Sequence, residues 1–175
     1  MCCRGIEAAV AAGVNLKFVR IPFGLHNRSA AVAAVAVCQK YGIPVIGDEC
    51  TLFGLVDRFF VDMPAPNPLE TSLPVPSVPH AMATAKEMGG WEAVQKALKV
   101  VDTVAKKHSV KMQAVALRWC MDQGVVPVLP LGWRHTAEAF GKRGAPACAV
   151  PDIPLFHRAS FLSSDDIEAL NAVAV

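Results

Sequence analysis

Three glycines divide this chain into alternating units. Gly13, Gly42 and Gly124 each follow a stretch of helical periodicity, at the position where a left-handed cap favours glycine. Each is followed by a short apolar run, at 14–21, 43–46 and 125–129. Helix, glycine and strand in that repeated order are the pattern of a parallel α/β architecture. The run Ile43-Pro44-Val45-Ile46 suits a strand in a sheet buried on both faces, and Pro22 is expected to stop the first strand.

The helices can be placed by their caps and stripes. A helix from about Ser29 to Tyr41 starts after Asn27 or Ser29, either of which can cap free N–H groups. Val94, Ala97, Leu98, Val101, Val104 and Ala105 form an i, i+3, i+4, i+7 stripe, with Lys96, Lys99, Asp102, Lys106 and Lys107 on other faces. A second helix spans Val110 to Gln123, and Trp119 in it reads as core. The last runs from about Asp165 to Ala172, behind Ser163 and Ser164, with acids in its first turn. Between these units, Pro64, Pro66, Pro68, Pro74, Pro76 and Pro79 forbid regular helix or central strand over residues 60–80. That stretch is read as a surface loop, or alternatively as a linker.

Composition narrows the function classes. Apolar residues make up 53% and charged residues 18%, so the chain expects a core or a partner. A net charge of +2 and a pI near 8.2, without a Lys/Arg run, exclude charge-driven binding to nucleic acid or to a membrane surface. The apolar run 30–37 is too short to span a bilayer, and the first residues lack a signal-peptide core, so a soluble cytoplasmic protein is expected. Cys2, Cys3, Cys38, Cys50, Cys120 and Cys148 show no CxxC spacing, and no His/Cys/carboxylate group has metal-ligand spacing. Gly47-Asp48-Glu49-Cys50 places carboxylates and a thiol at a strand end, which reads either as acid-base chemistry or as a polar strand terminus.

Residues 89–134 carry the most specific order. Gly89-Gly90-Trp91 opens a helix, a second ends at Asp122-Gln123-Gly124, and Val125 to Leu129 runs into Gly132-Trp133-Arg134. This helix-helix-strand-Gly-x-Arg order resembles the C-terminal part of the aldo-keto reductases, most closely the branch of sugar dehydrogenases such as L-galactose dehydrogenase. The similarity runs from about Gly5 to Val173. It implies that residues 1–175 form the C-terminal half of a (βα)8 TIM barrel: the equivalents of strands six to eight with their helices, plus a C-terminal helix. Three strands cannot close a barrel, which typically needs about 250 residues.

The resemblance also implies a site. In the family the C-terminal ends of these strands hold NADP(H). The family pattern Asn-Gln-Val-Gln-Tyr-Ser-Leu-Leu-Asp-Arg aligns with Val19 to Arg28, so the Gln that binds the nicotinamide amide is replaced by Arg20. Arginine donates to the amide carbonyl but cannot accept from its NH₂. The aromatic that stacks on the nicotinamide ring falls at Asp48, which supplies no such contact. Gly132, Trp133 and Arg134 match the loop that holds the 2′-phosphate: glycine allows close approach, and arginine offers a planar fork. The acidic-Asn pair that contacts adenine is missing, with Arg143-Gly144 near its place, so NADP(H) binding is expected to be weak or vestigial.

The family's Asp, Tyr, Lys and His tetrad lies on the first half of its barrel, and Tyr41, at a helix end, is not the proton donor. No catalytic or metal-binding residue is therefore assigned. The chain resembles an NADP-dependent oxidoreductase of carbonyls or sugar hydroxyls, truncated and expected to be inactive alone. The implied partners are a small carbonyl or sugar substrate, and an N-terminal half-barrel or a second copy. The alternatives are a non-catalytic subunit or interaction module that pairs through exposed strand edges, or a portion of a longer active enzyme.

Overall fold

The computed structural model describes residues 3–67, 78–128 and 159–175. Among these residues three short strands, β1 (Val19–Pro22), β2 (Val45–Asp48) and β3 (Val125–Pro127), form a parallel sheet in the order β1-β2-β3. Val19 pairs with Val45 and Val45 with Val125, so chain order and spatial order agree. Six α-helices accompany the sheet among the described residues: α1 (Cys3–Ala11), α2 (Arg28–Lys40), α3 (Val78–Glu87), α4 (Trp91–His108), α5 (Met112–Asp122) and α6 (Ser164–Val173). No helix there is long and apolar enough to cross a membrane.

The sheet has one covered face and one open face. Period-two alternation puts Val19, Ile21, Val45, Gly47 and Val125 under the helices, where all are buried. Arg20, Pro22, Ile46, Asp48 and Val126 lie on the other face, and none of them is buried. This corrects the expectation of a sheet buried on both sides. Arg20 on β1 and Asp48 on β2 would each lose their hydration in a core, so the face that carries them stays open even though Ile46 and Val126 share it.

On the covered side α5 forms the centre of the packing. Met112, Ala114, Val115, Ala116, Leu117, Trp119 and Cys120 are all buried, and Trp119 stacks on Phe23 at 5.7 Å. α4 lies outside α5 through the expected stripe. Val94, Ala97, Leu98 and Val101 are fully buried, and Ser109 closes the helix in the left-handed conformation at φ 54°. Burying a Val or Leu side chain is worth about 1.5–3 kcal/mol, so a charge at Val101 alone would undo this seam. α6 is tied on by its capping box. The Ser163 hydroxyl accepts from the Asp166 N–H, and the Asp166 carboxylate accepts from the Ser163 N–H.

Several boundaries differ from the sequence reading. The first strand starts at Val19 rather than Val14, because Val14 N–H bonds Ala9 and Leu16 N–H bonds Val14, turning this segment out of the sheet. Pro22 does not stop the strand but is its last paired residue, opposite Asp48. Asn27 flanks α2, yet its side chain accepts from Gly24 N–H at 2.9 Å instead of capping the helix. Helix α3 lies inside and beyond the proline-rich stretch. Pro79 sits in its first turn, where a missing N–H costs nothing. Residues 68–77 and Leu129 are outside the described residues.

Candidate functional site

The C-terminal ends of β1 and β2 gather the ionisable groups nearest the open face. Arg20 pairs in register with Ile46, and Asp48 lies two residues further along β2. On a parallel sheet this puts the two side chains on the same face, diagonally adjacent. The Arg20 guanidinium donates from Nε to Asp48 Oδ2 at 2.6 Å and from Nη2 to Oδ1 at 2.8 Å. This hydrogen bonding and the charge of Asp48 raise the Arg20 pKa further above its ordinary value. Arg20 and Asp48, the two positions that the resemblance assigns to the nicotinamide, are thus brought together and satisfy each other.

Gly47 makes this end of the sheet compact. A Cβ there would come within 2.5 Å of Val125 Cγ1 and 3.2 Å of the Cys50 sulfur. The chain then turns sharply, with Glu49, Leu52 and Phe53 at φ 65°, 53° and 52°, a conformation unusual for residues with side chains. Leu52 N–H bonds Glu49 carbonyl at 2.8 Å and holds the turn. The Cys50 thiol is buried and donates to the Gly47 carbonyl at 3.3 Å, so the thiol of the Gly47-to-Cys50 run packs inward. Cys120 is buried beside it. Burial, together with the Cys50 thiol, pushes the Cys120 pKa well up, which makes it a poor nucleophile.

Behind the fork lies a pair that the sequence did not reveal. His26, only 3% exposed, sits in the β1–α2 loop with Nε2 at 3.1 Å from Glu49 Oε2. Burial lowers the His26 pKa to about 4, so the ring is neutral at physiological pH. Burial also raises the Glu49 carboxyl, with Asp48 and Glu87 adding to the effect and His80 opposing it. His26 Nδ1 has no hydrogen-bond partner among the described residues, and it faces Gly24, where a Cβ would lie 2.9 Å away. The pair can hold a proton between Nε2 and Oε2. Its partners are 23 residues apart, and no local spacing announces them. The nearest signal was the presence of Glu49 in the polar run at the strand end.

Gly132, Trp133 and Arg134, the proposed phosphate loop, lie outside the described residues. Among the described residues, no group of three or more His, Cys, Asp or Glu could hold a metal ion. The arrangement offers an internally neutralised Arg-Asp fork and a buried neutral imidazole against a carboxylate. No described nucleophile is aligned with either.

Comparison with known proteins gives two findings. The model of the Aldo/keto reductase family matches residues 6–139. Flagellar radial spoke protein 5 of Chlamydomonas reinhardtii is 35% identical over 176 residues, covering 97% of this chain. The chain spans 33%, about a third, of the length of that curated relative.

Proposed function

This chain belongs to the aldo/keto reductase family, and from that premise we propose that it is a non-catalytic member, a structural portion of a flagellar protein assembly. In this reading residues 1–175 are the part of an eightfold βα barrel that contains strands six to eight, and the open sheet face is turned toward the barrel interior. NADP(H) is bound weakly if at all, with Gly132, Trp133 and Arg134 retaining a vestige of the phosphate loop. The chain acts in the cytoplasmic compartment, through contacts with other polypeptides.

The observation that carries this reading is the Arg20–Asp48 fork. A nicotinamide site needs an amide that both donates and accepts, and a ring that stacks. Here the two positions hold opposite charges locked together at 2.6 and 2.8 Å. Entry of a nicotinamide would have to break that pair and would gain no stacking surface. The identity to a radial spoke protein over 97% of the chain supports the assembly role. The runner-up reading is an NADP(H)-dependent oxidoreductase of aldehydes, ketones or sugars, completed by barrel strands outside these residues. Family membership favours it.

Expression of the tagged chain in Chlamydomonas, followed by fractionation of flagella, tests the proposal. Recovery of the chain with the axonemal fraction, and its release under the conditions that release radial spokes, is the expected result. Its complete absence from flagella, together with NADPH-dependent carbonyl reduction by the purified chain, would favour the oxidoreductase.

A further inference from the structure

Helix α2 has no side-chain cap, because Asn27 turns its carboxamide to the Gly24 N–H. The first N–H groups of a helix need acceptors from outside it. The Ser29 N–H finds one beyond α6, where it donates to the Val175 carbonyl at 3.0 Å. The Val175 N–H in turn donates to the Leu25 carbonyl at 2.8 Å. Val175 therefore bridges the two ends of the segment 25–29, and His26 lies inside the bridged segment.

α6 brings Val175 to this place. Leu170 is fully buried, and Asn171 Oδ1 accepts at 3.0 Å from Trp119 Nε1, on the same indole that stacks on Phe23. The Ala174 N–H still donates to the Leu170 carbonyl, but the Ala174 backbone is extended at φ −80° and ψ 134°. That turns Val175 out of the helix and toward the β1–α2 loop.

We propose that Val175 is a main-chain strap that ties α6 to the β1–α2 loop and so positions His26 against Glu49. An open strap leaves the loop its local bonds, such as that from the Asn27 N–H to the Gly24 carbonyl at 3.3 Å, and lets water reach the His26 ring. The strap joins described residues to one another and serves either reading of function.

Val175→Pro in the full 175-residue chain tests the strap. Proline removes the N–H that Leu25 accepts, and the extended Ala174 before it tolerates a proline. Val175→Ala keeps the backbone bonds and is the control. In Val175→Pro the Ser29 amide is expected to exchange about tenfold faster, the equivalent of one lost hydrogen bond. The midpoint of the His26 ring titration, followed by NMR, is expected to rise from about 4 toward the ordinary 6.5 as the ring is hydrated. Val175→Ala should move neither reading. Asp48, His80 and Glu87, whose charges act on the His26–Glu49 pair, are the same in all three proteins, so a shift reports hydration. Unchanged readings in Val175→Pro, or equal shifts in Val175→Ala, would overturn the proposal. Hydrogen exchange of the parent over a series of low denaturant concentrations needs no variant. The Ser29 and Val175 amides should open together with that of Ala174. A Ser29 amide that stays protected after Ala174 has opened would contradict the strap.

Discussion

Arg20 and Asp48, 28 residues apart in the chain, meet through two hydrogen bonds of 2.6 and 2.8 Å across neighbouring strands. If this fork has displaced nicotinamide recognition, then restoring the family's residue types should bring some of it back. The paired substitution Arg20→Gln and Asp48→Tyr is expected to tighten nicotinamide nucleotide binding about tenfold, the combined effect of one amide hydrogen bond and one ring contact. The gain should be equal for NADPH and NADH, because both carry the same nicotinamide. Fluorescence titration of the parent and the paired variant with each nucleotide checks this, and a gain confined to NADPH would assign the effect to the phosphate instead.

At Gly47 the side chain of Val125 on β3 and the Cys50 sulfur both lie close to the β2 backbone. Gly47→Ala puts a methyl group 2.5 Å from Val125 Cγ1 and is expected to lower stability by about 1–3 kcal/mol through overpacking. Adding Val125→Ala should recover part of the loss by clearing the contact. Chemical denaturation of the two single variants and the double variant measures this, and additive losses would mean that the clash is not the cause.

His26 gives the fold an acid limit. Its folded pKa of about 4 lies below the ordinary 6.5, so the unfolded chain binds the extra proton first. Its contribution is therefore complete above pH 6.5 and is lost as pH falls toward 4, reaching about 2–3 kcal/mol. Glu49 works in the opposite sense. Its raised pKa makes the folded state take up a proton more readily than the unfolded chain, which offsets part of the loss below the ordinary 4.5. Denaturant unfolding between pH 7.5 and 4 should show a slope that flattens in His26→Gln, and an unchanged slope would remove His26 from the account.

Asp166 fastens α6 to the end of α4. Burial acts to raise its carboxyl, but Lys107, His108 and Ser163 outweigh that effect and hold it well below the ordinary 3.8. Lys107 Nζ lies at 2.8 Å from Oδ1 and His108 Nε2 at 2.8 Å from Oδ2. With the folded pKa depressed, this stability is present above pH 3.8 and is lost as pH falls below it. Asp166→Asn is expected to cost about 2–3 kcal/mol at neutral pH, and Ser163→Ala about 1 kcal/mol. Thermal or denaturant unfolding of both variants decides whether the carboxylate outweighs the cap.

The sequence made the helix-glycine-strand rhythm legible because Gly13, Gly42 and Gly124 take the positive φ that closes a helix, and all three do so in the structure. Trp119 was readable as core from its place on an apolar helix, and Ser163 as a cap from the acids that follow it. Helix α3 was hidden because Pro79 was weighed as a breaker rather than as a first-turn residue. The open sheet face was missed because the continuous apolar run at 43–46 conceals the alternation that Arg20 and Asp48 impose on their side of the sheet. Neither the Arg20–Asp48 fork nor the His26–Glu49 pair could be read from spacing, since each depends on the register of strands joined through a whole helix. Gly132, Trp133 and Arg134 rest on the family resemblance alone.

The most direct test of the central claim is turnover by the purified chain. With NADPH and a panel of aldehydes, ketones and sugars, oxidation of the nucleotide should stay at the background rate, because the fork holds the two positions that the resemblance assigns to the nicotinamide and no described residue is set to protonate a developing alkoxide. Saturable NADPH oxidation that survives repurification and disappears in Asp48→Asn or Glu49→Gln would contradict the account and make the ends of β1 and β2 an active site.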